Sequence, residues 1–269
     1  MKILHLSNVI CEKSGGGVHE VVKNLYKYQK ELGHEPHIWY PGTKDDSDSI
    51  KLDDNIRALN TYGNKKYGII KDLFKPLHKS IKYFDIIHQH GVWMPISLFN
   101  LRIKSSLGIP SIVQPHGFLE PYRLNQKKIK KKIVFDLYEN KNIKTSDLLL
   151  ACSKDESKKL KKMFYDKTIA TIENGIDSEF LHAHSLKNKN INKKILLFLS
   201  QIIPIKGLDR LIEIINELGR DKFKGWELHI AGDNSGKYGH KLLSKVSELK
   251  LDDIIKFIGP KHGKDKLKV

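Results

Sequence analysis

Apolar positions along the chain alternate between two periods. Short runs with strand character, Lys2 to Ser7, Pro36 to Tyr40, Phe84 to His88, Ile109 to Gln114, Asp147 to Cys152 and Thr168 to Ile172, interrupt stretches of helical spacing. The first helical stretch carries Val18, Val21, Val22, Leu25 and Leu32, and Gly33 sits where a C-cap belongs. Alternation of this kind predicts parallel βαβ units. Asp45 to Lys66 is polar and aperiodic and reads as a surface excursion. A helix is predicted over Leu124 to Ile143, with Ile129, Ile133, Val134, Leu137 and Tyr138 on one face and lysine on the other.

The stretch His182 to Lys194 is rich in Asn and Lys and has little to bury, so it is the best linker candidate. After it the pattern restarts. Strand Ile195 to Ser200, a helix carrying Leu208, Leu211, Ile212, Ile215 and Leu218, strand Trp226 to Ala231, helix Tyr238 to Leu249 and strand Ile254 to Ile258 follow in order. The predicted class is α/β: an N-terminal Rossmann-like domain over residues 1–185, a linker over 186–194, and a second Rossmann-like domain over 195–269. Doubly wound sheets carry about five or six strands, so the second domain reads as partial.

Composition narrows the choice of partner. The 269 residues include 48 basic and 31 acidic side chains, a net charge of +17, and Pro121 to Ala170 alone holds 14 basic and 6 acidic ones. Such a balance favours an anionic partner on one face of the first domain. An AT-rich genome, which over-supplies Lys, Ile and Asn, accounts for the same charge without any partner. No helix-turn-helix, zinc-finger or RNA-recognition pattern is present, so no nucleic-acid partner is expected. The apolar runs fall short of the roughly 18 residues that span a bilayer, and Met1 to Ile10 lacks a signal-peptide core. The expected location is the cytoplasm, with peripheral contact at the inner face of an anionic membrane. Cys11 and Cys152 are far apart and read as ordinary reduced thiols.

Candidate chemistry clusters at strand ends. Gly15-Gly16-Gly17 lies between a first strand and a first helix, where small residues let N–H groups approach a phosphate, though a simple tight turn has the same signature. His88-Gln89-His90-Gly91 and His116-Gly117 each follow a strand, on the ligand-binding edge of a parallel sheet. A metal site would require further carboxylate or thiolate ligands, so a polar substrate is the expected contact and no metal is assigned. Trp93 beside this edge suits stacking on a sugar and suits a core position equally. Lys206 directly before Gly207 pairs a point charge with helix-terminal N–H donors, which suits a diphosphate. Asp177 reads as a helix N-cap or as a ligand.

These residues together resemble the retaining nucleotide-sugar glycosyltransferases of the GT-B fold, in the glycosyltransferase family 4-like group that builds bacterial polysaccharides. Pro115-His116-Gly117-Phe118-Leu119-Glu120-Pro121 is similar to the acceptor-domain motif of that group, and Ser153 to Glu156 to its Ser-x-x-Glu segment. Glu173-Asn174-Gly175-Ile176-Asp177 is similar to its domain-boundary motif, Leu199 to Leu208 to the opening of its donor domain, and Phe257-Ile258-Gly259-Pro260 to a later donor-domain strand.

The resemblance implies a hexosyltransferase-type enzyme that moves a sugar from a nucleoside diphosphate sugar to a cell-surface polysaccharide, lipopolysaccharide or lipid-linked glycan acceptor. It implies no metal and no cofactor beyond the donor substrate. Gly16 and Gly17 would approach the diphosphate, His116 the transferred sugar, and Lys206 the leaving phosphates, so His116 and Lys206 take the catalytic roles. His88, His90, Trp93 and Glu120 are the expected acceptor or sugar contacts. Where the family carries an arginine five residues before its lysine, this chain has Gln201. The family's Glu-x7-Glu segment would fall beyond Val269, so the chain reads as C-terminally truncated. An impaired remnant that acts at most as a binding module is the competing expectation.

Overall fold

The computed structural model describes residues 1–8, 12–42, 53–63, 68–74, 79–176, 178, 194–267 and 269. The chain divides into two compact units, Met1–Gly175 and Ile176–Val269. Apart from Lys194, the predicted linker 186–194 lies outside the described residues, as do Asp177 and Cys11.

In the first unit, β1 (Lys2–Ser7), β2 (Glu35–Pro41) and β3 (Ile56–Leu59) precede a short antiparallel ribbon of β4 (Thr61–Tyr62) and β5 (Ile69–Ile70). The strands β6 (Ile86–His90), β7 (Ser111–Gln114), β8 (Leu148–Ala151) and β9 (Ile169–Thr171) follow. Seven of these form one sheet in the order β3-β2-β1-β6-β7-β8-β9, and every pairing is parallel. Parallel strands need crossovers, here supplied by α1 (Glu12–Glu31), α2 (Pro95–Leu107) and the helical segments beyond. Both faces of the sheet are therefore covered, and β1 is buried along Ile3 to Ser7. Leu4, Leu6 and Ile87 face Ile96, Phe99 and Ile103 of α2. The period-two alternation turns His5, His88 and His90 to the opposite face, under α1.

Two expectations are corrected. Residues 56–59, inside the stretch read as a surface excursion, form the edge strand β3. The single helix predicted over Leu124 to Ile143 is four pieces: α3 (Pro121–Asn125), α4 (Lys128–Val134), a π-helical turn (Phe135–Glu139) and α5 (Asn140–Thr145). Lys127, at φ 52 and ψ 40, breaks the chain between α3 and α4. Much of its apolar face lies outside: Ile129, Ile133 and Leu137 are 78%, 53% and 73% exposed. The segment is held by Glu139, Asn142 and Ile143, which are buried at its far end.

α6 (Lys154–Met163) begins at a side-chain cap, with the Glu156 N–H donating to Ser153 Oγ at 3.1 Å. In the second unit, β10 (Lys194–Leu199), β11 (Trp226–Ala231) and β12 (Ile255–Phe257) form a three-stranded parallel sheet. α7 (Leu208–Lys222) and α8 (Lys237–Glu248) connect these strands, and Ile212, Ile215, Leu242 and Val246 pack with Leu228 and Ile230 into one core. Ile195, Leu196, Leu197 and Leu199 of β10 remain partly exposed.

Candidate active site

All strands of the first unit's sheet run in one direction, so the loops after β1, β6 and β7 share its C-terminal edge. The glycine run lies early in the α1 span that follows β1, His90-Gly91-Val92-Trp93 begins at the last residue of β6, and His116-Gly117 follows β7. Gly16 lies within the α1 span but is non-helical, with φ 57 and ψ −154, a conformation open to glycine and closed to a β-carbon. Gly16 and Gly17 are both exposed there.

His116 also has a left-handed backbone, φ 54, which turns the chain immediately after β7 and aims the ring back at the sheet. Its Nε2 is 3.0 Å from His90 Nδ1, and its Nδ1 is 3.4 Å from Cys152 Sγ. His90 Nε2 in turn is 3.0 Å from His5 Nδ1, and His5 Nε2 is 2.7 Å from Gln29 Oε1. On the other branch His88 Nε2 bonds Gln114 Oε1 at 3.0 Å, and the Gln114 amide donates to Cys152 Sγ at 3.3 Å.

One set of protons satisfies this chain. A carbonyl oxygen only accepts, so Gln29 requires the proton of His5 on Nε2 and leaves Nδ1 as an acceptor. His90 then donates from Nε2, His116 donates from Nε2 to His90 Nδ1, and the Cys152 thiol donates to His116 Nδ1. Every imidazole in the row is neutral. Burial pushes His5 down to about 4, against a smaller opposing effect of the Gln29 bond, and pushes His116 down to about 4 as well. Burial first, and then the neighbouring imidazoles, hold His88 and His90 well below the ordinary histidine range. Burial raises the Cys152 thiol to about 11, so it stays protonated.

Glu156 ties this turn to α6. Its Oε1 accepts from the Gly117 N–H and its Oε2 from the Cys152 N–H, both at 2.7 Å. The Ser-x-x-Glu segment thus caps a helix and clamps the His116 loop with the same glutamate. Opposite it, Gly91 at φ 81 leaves room for the Phe118 ring, which would meet a β-carbon at 3.4 Å.

The expected contacts separate into groups. His88 and His90 are buried, 7% and 1% exposed, and their hydrogen bonds run to protein groups, which leaves His116 as the member nearest solvent. Trp93 donates through Nε1 to the Phe118 carbonyl at 2.9 Å, while its backbone N–H donates to buried Glu139 at 2.7 Å. Its ring lies 6.1 Å from that of Phe135, with Lys131 Nζ 5.7 Å from the ring centre. Glu120 is paired with Lys159 at 2.6 Å.

Lys206 and Gln201 belong to the second unit and are both exposed. Lys206 ends a 3-10 turn, Pro204–Lys206, and Gly207 at φ 69 starts α7 with no side chain to cap it. A cation therefore stands beside a helix N-terminus whose first turn also carries the Asp209 carboxylate, bonded to the Asp209 and Arg210 N–H groups. Sequence reasoning missed His5, Gln29 and Gln114. A polar residue inside an otherwise apolar buried strand, as His5 is in β1, was the available signal.

A family model described as Glycosyltransferase Family 4 matches residues 15–180, and one described as Glycosyl transferases group 1 matches residues 181–269. No curated protein matches the chain. Among solved structures, a glycosyltransferase from Rickettsia africae ESF-5 is similar at 18% identity and a TM-score of 0.62, over 99% of this chain and 69% of that one. The apo form of the lipopolysaccharide outer core galactosyltransferase WaaB is similar at 16% identity and a TM-score of 0.60, over 97% and 68%. A mutant of S. aureus TarM in complex with fondaparinux, alpha-GlcNAc-glycerol and UDP is similar at 12% identity and a TM-score of 0.66, over 97% and 78%. At these identities the likeness shows the fold, a Rossmann-like α/β arrangement of the GT-B type. With more than half of its residues matched by that one model, the chain belongs to Glycosyltransferase Family 4.

Proposed function

We propose that this glycosyltransferase moves a sugar from a nucleoside diphosphate sugar to a glycan or lipid-linked acceptor at a membrane surface, with retention of configuration and without a metal. The observation that carries the proposal is Lys206 at the start of α7, in a chain matched by glycosyltransferase models over residues 15–269. The leaving diphosphate gathers negative charge as the glycosidic bond breaks. A fixed ammonium and helix-terminal N–H dipoles oppose that charge without reorganising, which lowers the barrier. Gln201 adds a neutral donor. In the first unit, half-buried His116 meets the transferred sugar, with its ring held by His90 and Cys152 and its loop by Glu156. Backbone groups around Gly16 and Gly17 approach the phosphates. WaaB and TarM, named above for a lipopolysaccharide core and for a complex with UDP, support the choice of donor and acceptor class.

The exposed stripe Ile129, Ile133 and Leu137, interleaved with Lys127, Lys128, Lys130, Lys131 and Lys132, supports the membrane part of the reading. Apolar side chains enter the headgroup boundary while lysines meet anionic lipid, each lysine contributing about 1 kcal/mol near the surface. No helix among the described residues is long and apolar enough to cross a membrane. The proposed location is the inner face of the cytoplasmic membrane.

Isothermal calorimetry against a panel of UDP-, GDP-, ADP- and dTDP-sugars tests the donor assignment. One-to-one binding of at least one donor, weakened in Lys206→Ala, is expected. Absence of heat with every donor contradicts it and favours the competing expectation of a remnant.

A further inference from the structure

Three imidazoles from two neighbouring strands share the face of the sheet under α1. His5 stands opposite His88 in the register of β1 and β6, and His90 follows two residues along. The ring centres are 5.4 Å apart for His5 and His88, 5.2 Å for His5 and His90, and 4.0 Å for His88 and His90. One nitrogen from each ring lies within 4.8 Å of those of the other two. All three side chains are buried.

Each ring is also held from behind. Gln29 Oε1 fixes His5 through Nε2, Gln114 Oε1 fixes His88 through Nε2, and His116 fixes His90 through Nδ1. Metal-ligating histidines are held in this way, with one nitrogen bonded to an orienting partner and the other free to coordinate. Because both glutamine oxygens accept, the Nδ1 atoms of His5 and His88 carry lone pairs.

We propose that His5, His88 and His90 form a binding site for a borderline-soft divalent transition ion, with zinc as the type case. Three imidazoles suffice for such an ion, as the three-histidine site of carbonic anhydrase shows. Zn–N bonds of about 2.0–2.1 Å place tetrahedral ligand atoms roughly 3.3 Å apart. His5 Nδ1 and His90 Nε2 are already at 3.0 Å. A ligand set of nitrogen alone rejects magnesium and calcium, which require oxygen.

Coordination displaces the proton that His90 Nε2 now donates to His5. That proton moves to His90 Nδ1, which becomes the donor to His116 Nε2. His116 then carries its own proton on Nδ1, facing the Cys152 sulfur, whose S–H turns away. Each group keeps one proton. The ion therefore reverses the bonding of His116 without touching it, and no step of sugar transfer is routed through the metal.

The test is a cobalt(II) titration of the full chain after chelator treatment and dialysis. One equivalent of cobalt with the intense d–d bands of a tetrahedral site, displaced by zinc, is expected. His5→Gln and His88→Gln, each checked for folding by circular dichroism, are expected to lose the bands. Anomalous scattering from crystals grown with zinc serves as a second readout that needs no variant, with its peak expected among the three rings. Absence of tetrahedral bands, bands that persist in both folded variants, or an anomalous peak only at other histidines overturns the proposal.

Discussion

His116 Nε2 lies 3.0 Å from His90 Nδ1, and this bond joins the loop after β7 to the buried row that ends at Gln29. Truncating His90 removes two bonds at once. His90→Ala leaves His5 Nδ1 and His116 Nε2 unpaired in a buried site, where each orphaned group costs about 1–3 kcal/mol. The expected loss of stability is therefore about 2–6 kcal/mol. Urea denaturation measures it, and a change below about 0.5 kcal/mol would mean that the row bears little of the fold's stability.

Lys206 behaves in the opposite way, since its side chain is exposed. Lys206→Ala is expected to shift stability by less than about 0.5 kcal/mol while lowering the transfer rate about 10²- to 10³-fold. Steady-state kinetics beside a thermal melt separates the two effects. Gln201→Arg restores a second cation at the place where the family pattern carries one and is expected to raise the rate.

The exposed stripe on α4 and the π turn predicts a surface phenotype. Ile129→Ser, Ile133→Ser and Leu137→Ser combined are expected to leave the melting temperature unchanged or slightly raised, because these side chains bury little in the folded chain. Sedimentation with vesicles containing anionic lipid should fall to the level seen with neutral vesicles. Retention of the triple variant on anionic vesicles would move the contact elsewhere.

Glu139 contributes a pH dependence opposite in sign to that of the buried histidines, whose neutral forms the fold favours. Burial raises its carboxyl from an ordinary 4.5 to about 7, against the opposing hydrogen bonds from the Trp93 N–H, Asn142 and Ser97. The folded chain therefore binds a proton at Glu139 between about 4.5 and 7 that the unfolded chain has released. Stability from this group is fully present below about 4.5 and is lost as pH rises through about 7. Glu139→Gln is expected to remove this falling contribution, so that the stability of the variant relative to the native chain rises with pH between about 4.5 and 7. Denaturation midpoints of both forms, measured from pH 4.5 to 8, check it, and parallel profiles would contradict it.

The sheet was legible because buried parallel strands carry dense apolar runs and because Gly33, the glycine run and the polar breaks punctuate them. β3 escaped because Ile56–Leu59 alternates only weakly within a polar stretch, and its pairing with Ile38 to Pro41 is a tertiary fact. The Ile129, Ile133 and Leu137 periodicity is real, but periodicity states which residues share a face, not what covers that face. His88, His90 and His116 were visible one by one at strand ends. Their linkage through His5, Gln29 and Cys152 depends on register and on the left-handed turn at His116, neither of which a linear spacing records.

A turnover assay follows the sugar itself. The full chain, supplied with donor nucleotide sugars and a glycolipid acceptor fraction in anionic vesicles, is assayed for nucleoside diphosphate release and for the mass added to the acceptor. One diphosphate released per sugar added is expected, with the anomeric configuration of the donor retained and with activity lowered at least about 10²-fold in Lys206→Ala and His116→Ala. An absence of transfer from every donor, or transfer that proceeds unchanged in both variants, would contradict it.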